Sequence, residues 1–112
     1  MTGDSTIIVQ TAFLRCPIQH ADAVSDALAR VAAVALRDEP ETLDYIVLRT
    51  SAVGGTVCFT TVETFNGQEG MEVHNTSEAV AAFFDETQAI LSCPVNVVVN
   101  TVVPPAHNQT NT

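Results

Sequence analysis

Ile7-Ile8-Val9, Tyr45-Ile46-Val47-Leu48 and Val97-Val98-Val99 are apolar at every consecutive position. Successive side chains of a strand point to opposite faces, so these runs are apolar on both phases of the pleat. An antiparallel sheet with one wet face alternates apolar and polar residues instead. A sheet made from these strands needs cover on both sides, and any fold for the chain has to supply it.

The rest of the sequence supplies cover for one side. Residues 6–14 are β-rich and free of Gly and Pro, which predicts a first strand closed by Cys16-Pro17. From about Gln19 the period changes: Val24, Ala27, Leu28, Val31, Val34 and Ala35 fall at helical spacing. That helix ends at Glu39-Pro40, because a residue ahead of proline is pushed out of the α region. Residues 43–50 and 56–65 read as two strands joined by Ala52-Val53-Gly54-Gly55, a hairpin. Asn66-Gly67 interrupts the chain, a short segment holding Met71 follows, and a second helix stops before Cys93-Pro94. Residues 95–103, "VNVVVNTVV", form a fourth strand. The order is βαββ(α)αβ, an α+β ferredoxin-like fold with a four-stranded antiparallel sheet and helices on one face. No element is left over for the other face, so a second copy is expected there: a homodimer, sheet packed on sheet. Residues 1–5 read as an N-terminal extension, 6–103 as the domain and 104–112 as a disordered tail.

At 112 residues the chain is one domain, large enough to bury about two-thirds of its unfolded surface. Four basic residues against thirteen acidic ones give a formal charge of −9. Such a surface repels phosphate backbones and anionic headgroups, which argues against nucleic-acid and membrane-surface partners. Cys16, Cys58 and Cys93 are odd in number, widely spaced and without a CxxC pair, neither a disulfide framework nor a zinc pattern. They read as reduced, mostly buried thiols of a cytoplasmic protein. "MTGDSTIIVQ" carries no basic region or long apolar run, so neither a signal peptide nor a membrane span is expected. The sequons at Asn75 and Asn108 are then chance matches.

One histidine stands out. In "GMEVHNTSEAVAAFF" (70–84), Asn75 can cap a helix and Glu78 can reach back to it, a capping-box arrangement. Val80, Phe83, Phe84, Thr87 and Leu91 then share one helix face. His74 would sit at the mouth of that helix, where the dipole pushes an imidazole towards its neutral, basic form. The plain alternative is a histidine on a surface loop.

Two stretches together carry a resemblance. "EPETLDYIVL" (39–48) resembles the helix-to-strand junction of antibiotic-biosynthesis-monooxygenase (ABM) domains, where Glu-Pro precedes Gly, a hydrophobic position and an aromatic. "ETFNGQEGMEVH" (63–74) is similar to the family's second signature, with Glu63, Phe65, Met71 and His74 at its offsets, followed by Ser77 and Val80. The resemblance covers about residues 6–103 and implies a dimeric α+β barrel with a cavity between each sheet and its helices. Two departures stand against it. Glu41 replaces the Gly, and Thr61, Phe65 and Met71 occupy positions where anthrone-oxidising members carry Asn, Trp and Tyr. The cavity is therefore expected to be more apolar than theirs.

The implied chemistry uses neither metal nor flavin. A phenolic or 1,3-dicarbonyl substrate loses a proton and the carbanion meets O2 directly. That needs a water-poor pocket, a base and a donor for the developing oxyanion. His74 is the expected base. Glu63 is either a second carboxylate of the site or a tie for the loop after its strand. Phe13, Tyr45, Phe59, Phe65, Phe83 and Phe84 are candidates to grip a flat substrate, together with Thr61 and Met71. For the Phe83/Phe84 pair the competing role is ordinary core, and for Tyr45 strand packing. Tyr45, Thr61 or the Asn75 amide could donate to the oxyanion. Four functions are open: cofactor-independent monooxygenation of a phenolic or polyketide-derived aromatic metabolite in secondary metabolism; an O2-independent cyclase, dehydratase, isomerase or decarboxylase using the same pocket; haem binding or degradation; and a non-catalytic small-ligand-binding dimer. No cofactor or metal is expected for the first.

Overall fold

The computed structural model describes residues 6–106. Residues 1–5, His107 and most of the expected tail lie outside them. β1 (Ile7–Pro17), α1 (Ala21–Asp38), β2 (Thr42–Arg49), β3 (Thr56–Asn66), α2 (Gln68–Asn75), α3 (Glu78–Thr87) and β4 (Asn96–Thr101) follow in that order. The strands form one antiparallel sheet in the order β2-β3-β1-β4, the α+β ferredoxin-like arrangement expected from the pattern.

β1 shows why one face is core. Ile8, Gln10, Ala12, Leu14 and Cys16 are all buried, and alternate positions are not. α1 lays Val24, Ala27, Leu28, Val31 and Ala35 on that face, its i, i+3/i+4 stripe. The strand runs three residues past Leu14 and includes Pro17. β4 pairs only with Ile8–Phe13, so Pro17 sits where one side of β1 is an edge and no donor is missed. α1 stops where Glu39 turns extended ahead of Pro40.

Two local features shape the site. β2 shifts register between Thr42 and Asp44, so Thr42 and Tyr45 both face inward although three apart. The segment after Gly67 is a true helix, α2, and His74 and Asn75 form its last turn. Asn75 is therefore not a helix N-cap. Ser77 caps α3 instead, its Oγ accepting from the Val80 amide at 3.2 Å. α3 ends at Thr87, so Leu91 falls beyond the helix whose face it was expected to extend. Of the three free cysteines only Cys16 is fully buried; Cys58 is exposed and Cys93 half-buried.

The opposite sheet face carries Ile7, Val9, Phe13, Ile46, Leu48 and Val98, and no described element covers it. No helix among the described residues is long and apolar enough to cross a membrane.

Candidate active site

Between the sheet and the helices lies a cavity of about 210 Å³. Its walls are apolar: Leu14 of β1, Leu28 and Val31 of α1, Val80 and Phe83 of α3, and Val95 before β4. Phe84 and Val97, both substantially exposed, stand with Asn75 at its mouth. All the polar lining gathers at one end, from β1 (Gln10), β2 (Tyr45), β3 (Thr61, Glu63) and α2 (His74, Asn75).

The sheet register builds that end. Gln10 pairs across with Glu63, which pairs in turn with Tyr45, so three polar side chains line up on one row of the inner face. α2 brings the histidine over them. Gly67 opens that helix at φ +91°, a left-handed conformation that side-chain-bearing residues rarely adopt. Gly70 then lets α2 close onto the α1–β2 turn, for a Cβ there would lie 2.7 Å from the Cβ of Glu41.

His74 is 2% exposed and meets a carboxylate on each side. Its Nδ1 lies 3.0 Å from Glu39 Oε1 and its Nε2 3.3 Å from Glu63 Oε1. Glu63, also buried, accepts from Gln10 Nε2 at 2.8 Å and from Thr61 Oγ1 at 2.5 Å. Gln10 and Asn75 exchange a reciprocal pair of amide hydrogen bonds, at 2.9 and 3.0 Å. Tyr45 stands edge-on to the imidazole and Phe65 lies tilted against it, each with ring centroids 5.4 Å away.

The electrostatics reverse one expectation. Burial works to lower the His74 pKa, but hydrogen bonding and charge from Glu63, then Glu39, outweigh it and the value is raised. The expected depression assumed a helix N-terminus; the ring lies instead at the C-terminal end of α2, where a cation is favoured. Burial, then the negative charge of Glu63 and Glu39, holds the Tyr45 phenol well above its ordinary pKa, so it is a donor rather than a phenolate.

The expected site residues divide by position. His74, Glu63, Tyr45, Thr61, Phe83 and Phe84 meet at the cavity. Phe65 is fully buried behind the imidazole, outside the lining. Phe59 is core and carries the Arg49 guanidinium 5.8 Å from its ring centroid. Met71 is half-buried on α2 and does not line the cavity. Phe13 belongs to the other face: it occupies the outward phase of β1, 43% exposed, which corrects its expected place among the pocket aromatics. Two residues went unnoticed in the sequence. Gln10 betrays itself as the one polar residue on the inward phase Ile8, Gln10, Ala12, Leu14; Glu39 heads the Glu-Pro stretch of 39–48, which marked a helix end and a motif but not a site residue. The two ring nitrogens of His74 face Glu39 and Glu63, whose carboxylates also accept from Thr42, Gln10 and Thr61. No group of three or more metal-ligating side chains among the described residues is arranged to hold an ion.

No protein-family model matches the chain, and no curated protein matches it. Solved structures do. A Caulobacter crescentus protein provisionally named an antibiotic biosynthesis monooxygenase superposes at TM-score 0.79 with 16% identity, covering 91% of this chain and 94% of its own. A Nitrosomonas europaea protein with the same provisional name gives TM-score 0.78 and 13% identity, over 96% of this chain and all of that one. A conserved Bacteroides thetaiotaomicron protein of unknown function, described as a possible oxidoreductase, gives TM-score 0.75 and 16% identity, with coverages of 88% and 99%. At these identities the likeness establishes a shared fold over nearly the full length of each.

Proposed function

We propose that this chain is a cofactor-independent monooxygenase of the ABM type, acting on a small phenolic or polyketide-derived aromatic metabolite of secondary metabolism. The observation that carries the reading is the buried Glu63–His74 pair at the polar end of an otherwise apolar cavity. The fold shared with provisionally named monooxygenases and the two family-like motifs, 39–48 and 63–74, support it. Cavities of about 150 Å³ accommodate benzene, so about 210 Å³ with an open mouth admits a fused aromatic whose far ring protrudes.

In this reading the base is Glu63 rather than His74. Both ring nitrogens of His74 are occupied by carboxylates, whereas Glu63 lies on the cavity wall. Glu63 takes a proton from the activated C–H or O–H of the substrate, and the electron pair stays on the substrate. Tyr45, on the cavity wall, is the hydroxyl donor for the resulting oxyanion; the Thr61 hydroxyl already donates to Glu63. O2 then oxidises the carbanion: a methylene becomes a carbonyl, one oxygen atom is retained and the other leaves as water. No metal or flavin is required, because the substrate itself supplies the electrons. Free thiols fit a cytoplasmic location.

Oxygen uptake by the metal-stripped protein, with anthrones, naphthols and hydroquinones, tests this beside Glu63→Gln. One O2 consumed per methylene oxidised is expected, falling at least about 100-fold in the variant. Equal uptake by both proteins would refute the assignment. A second reading has its own support: Gln10, Asn75 and Thr61 are largely engaged with each other and with Glu63, leaving little polar equipment beyond proton transfer. An O2-independent cyclase, dehydratase, isomerase or decarboxylase would convert its substrate equally well under argon. Tight binding of panel members with no conversion in either atmosphere would favour a ligand-binding dimer.

A further inference from the structure

The chain has four Lys and Arg residues in all, each engaged away from the cavity: Arg15 with Cys93, Arg30 with Glu86, Arg37 with Asp38 and Arg49 with Asp22. Among the described residues, the two buried glutamates are thus left with one cationic partner, His74. The groups facing it are Glu39 from the turn after α1, Tyr45 from β2 and Glu63 from β3; β1 contributes the neutral amide of Gln10, and α3 faces the cavity with apolar side chains.

Proton counting sharpens the point. A neutral imidazole has one donor and one acceptor nitrogen, and an ionised carboxylate only accepts. Carboxylates at both nitrogens are satisfied together by an imidazolium. Glu39 is built to face the ring in this way. It is 8% exposed, its backbone amide closes on Ala35 O at 3.0 Å, and Thr42 Oγ1 donates to its Oε1 at 2.8 Å. It does not line the cavity, so it can reach the reaction only through His74.

We propose that Glu39 is a positioning residue, holding His74 as an imidazolium so that Glu63 stays an ionised base on the cavity wall. The proposal rests on the enzymatic reading above. A buried carboxylate without a partner would otherwise take up a proton. Glu39 thereby sets the alkaline limit of activity, while Glu63 does the chemistry.

The test pairs two readouts in Glu39→Gln, a near-isosteric change. Its first arm needs no substrate: NMR titration of the His74 imidazole, identified by its loss in His74→Gln. Its midpoint should fall by about one unit or more in Glu39→Gln, and stay near wild type in Glu39→Asp, which keeps the charge. Its second arm is the pH profile of kcat/KM. The alkaline limb should move to lower pH by the same amount, with kcat about tenfold down on that limb and KM little changed. An unmoved midpoint in folded Glu39→Gln overturns the proposal. So does a lowered midpoint with an unmoved profile. A lowered midpoint in a protein that turns over no substrate overturns the enzymatic reading instead, and the catalytic role of Glu39 with it. If Glu39→Gln does not fold, Glu39→Asp decides alone: a midpoint or profile far from wild type refutes the charge argument.

Discussion

At the scale of single residues, His74 is the one buried histidine among the described residues, and its surroundings favour the charged ring. A folded-state pKa raised above the unfolded value means that His74 binds its proton more tightly in the native state. Its contribution to stability is therefore complete below the unfolded value of about 6.5 and is lost as pH rises through the higher folded value. Urea unfolding of wild type and His74→Gln checks this. The stability gap between them should be larger at pH 6 than at pH 9; a gap that widens towards alkaline pH would mean that the ring is buried neutral. His74 itself was legible in the sequence, but its state was not. That state depends on Glu39, 35 residues away, and on Glu63 across the cavity, pairings that no local pattern encodes.

Among the elements, the strands and the long helix were readable because their periods persist over many residues. Burial in β1 alternates as its apolar phase required, and α1 stops at Asp38, with Glu39 extended ahead of Pro40. α2 was not readable as a helix holding His74. It has only eight residues and buries only Gly70 and His74, so it shows no apolar stripe. The capping error has the same origin. Asn75 and Ser77 lie two apart and both suit an N-cap, and Asn75 is instead drawn into its amide pair with Gln10. What holds α2 down is close backbone approach. Gly70→Ala gains helix propensity, worth about 1 kcal/mol, but drives a Cβ into that of Glu41 at 2.7 Å. Overpacking of this kind costs about 1–3 kcal/mol, so a net loss of about 1 kcal/mol is expected in thermal or urea unfolding. A stabilised variant would show that the α1–β2 turn yields freely, and that α2 is not pinned there.

For the molecule as a whole, the demand for cover on both sheet faces is half met. The helices take the face of Leu14, Phe59 and Tyr45; Ile7, Val9, Phe13, Ile46, Leu48 and Val98 are left on the other. Large apolar side chains left on an uncovered sheet face mark an interaction site. A second copy, sheet on sheet, is the occupant we propose. Sedimentation should then give twice the 11.9 kDa chain mass, and Ile46→Asp with Leu48→Asp should give monomers. A wild-type protein that stays monomeric at micromolar concentration would leave that face to another partner. Pairing on this face would leave the cavity, on the opposite side of each sheet, open to substrate.

In the proposed reaction Glu63 removes a proton from a substrate held in the apolar cavity. The most direct measurement of that step is the absorption spectrum of anthrone added to the protein under argon, where oxidation cannot follow. Wild type should give the red-shifted band of the anthrone enolate at neutral pH, and Glu63→Gln should not. Anthrone bound in its neutral form by both proteins, or an enolate band of equal strength in both, would contradict it.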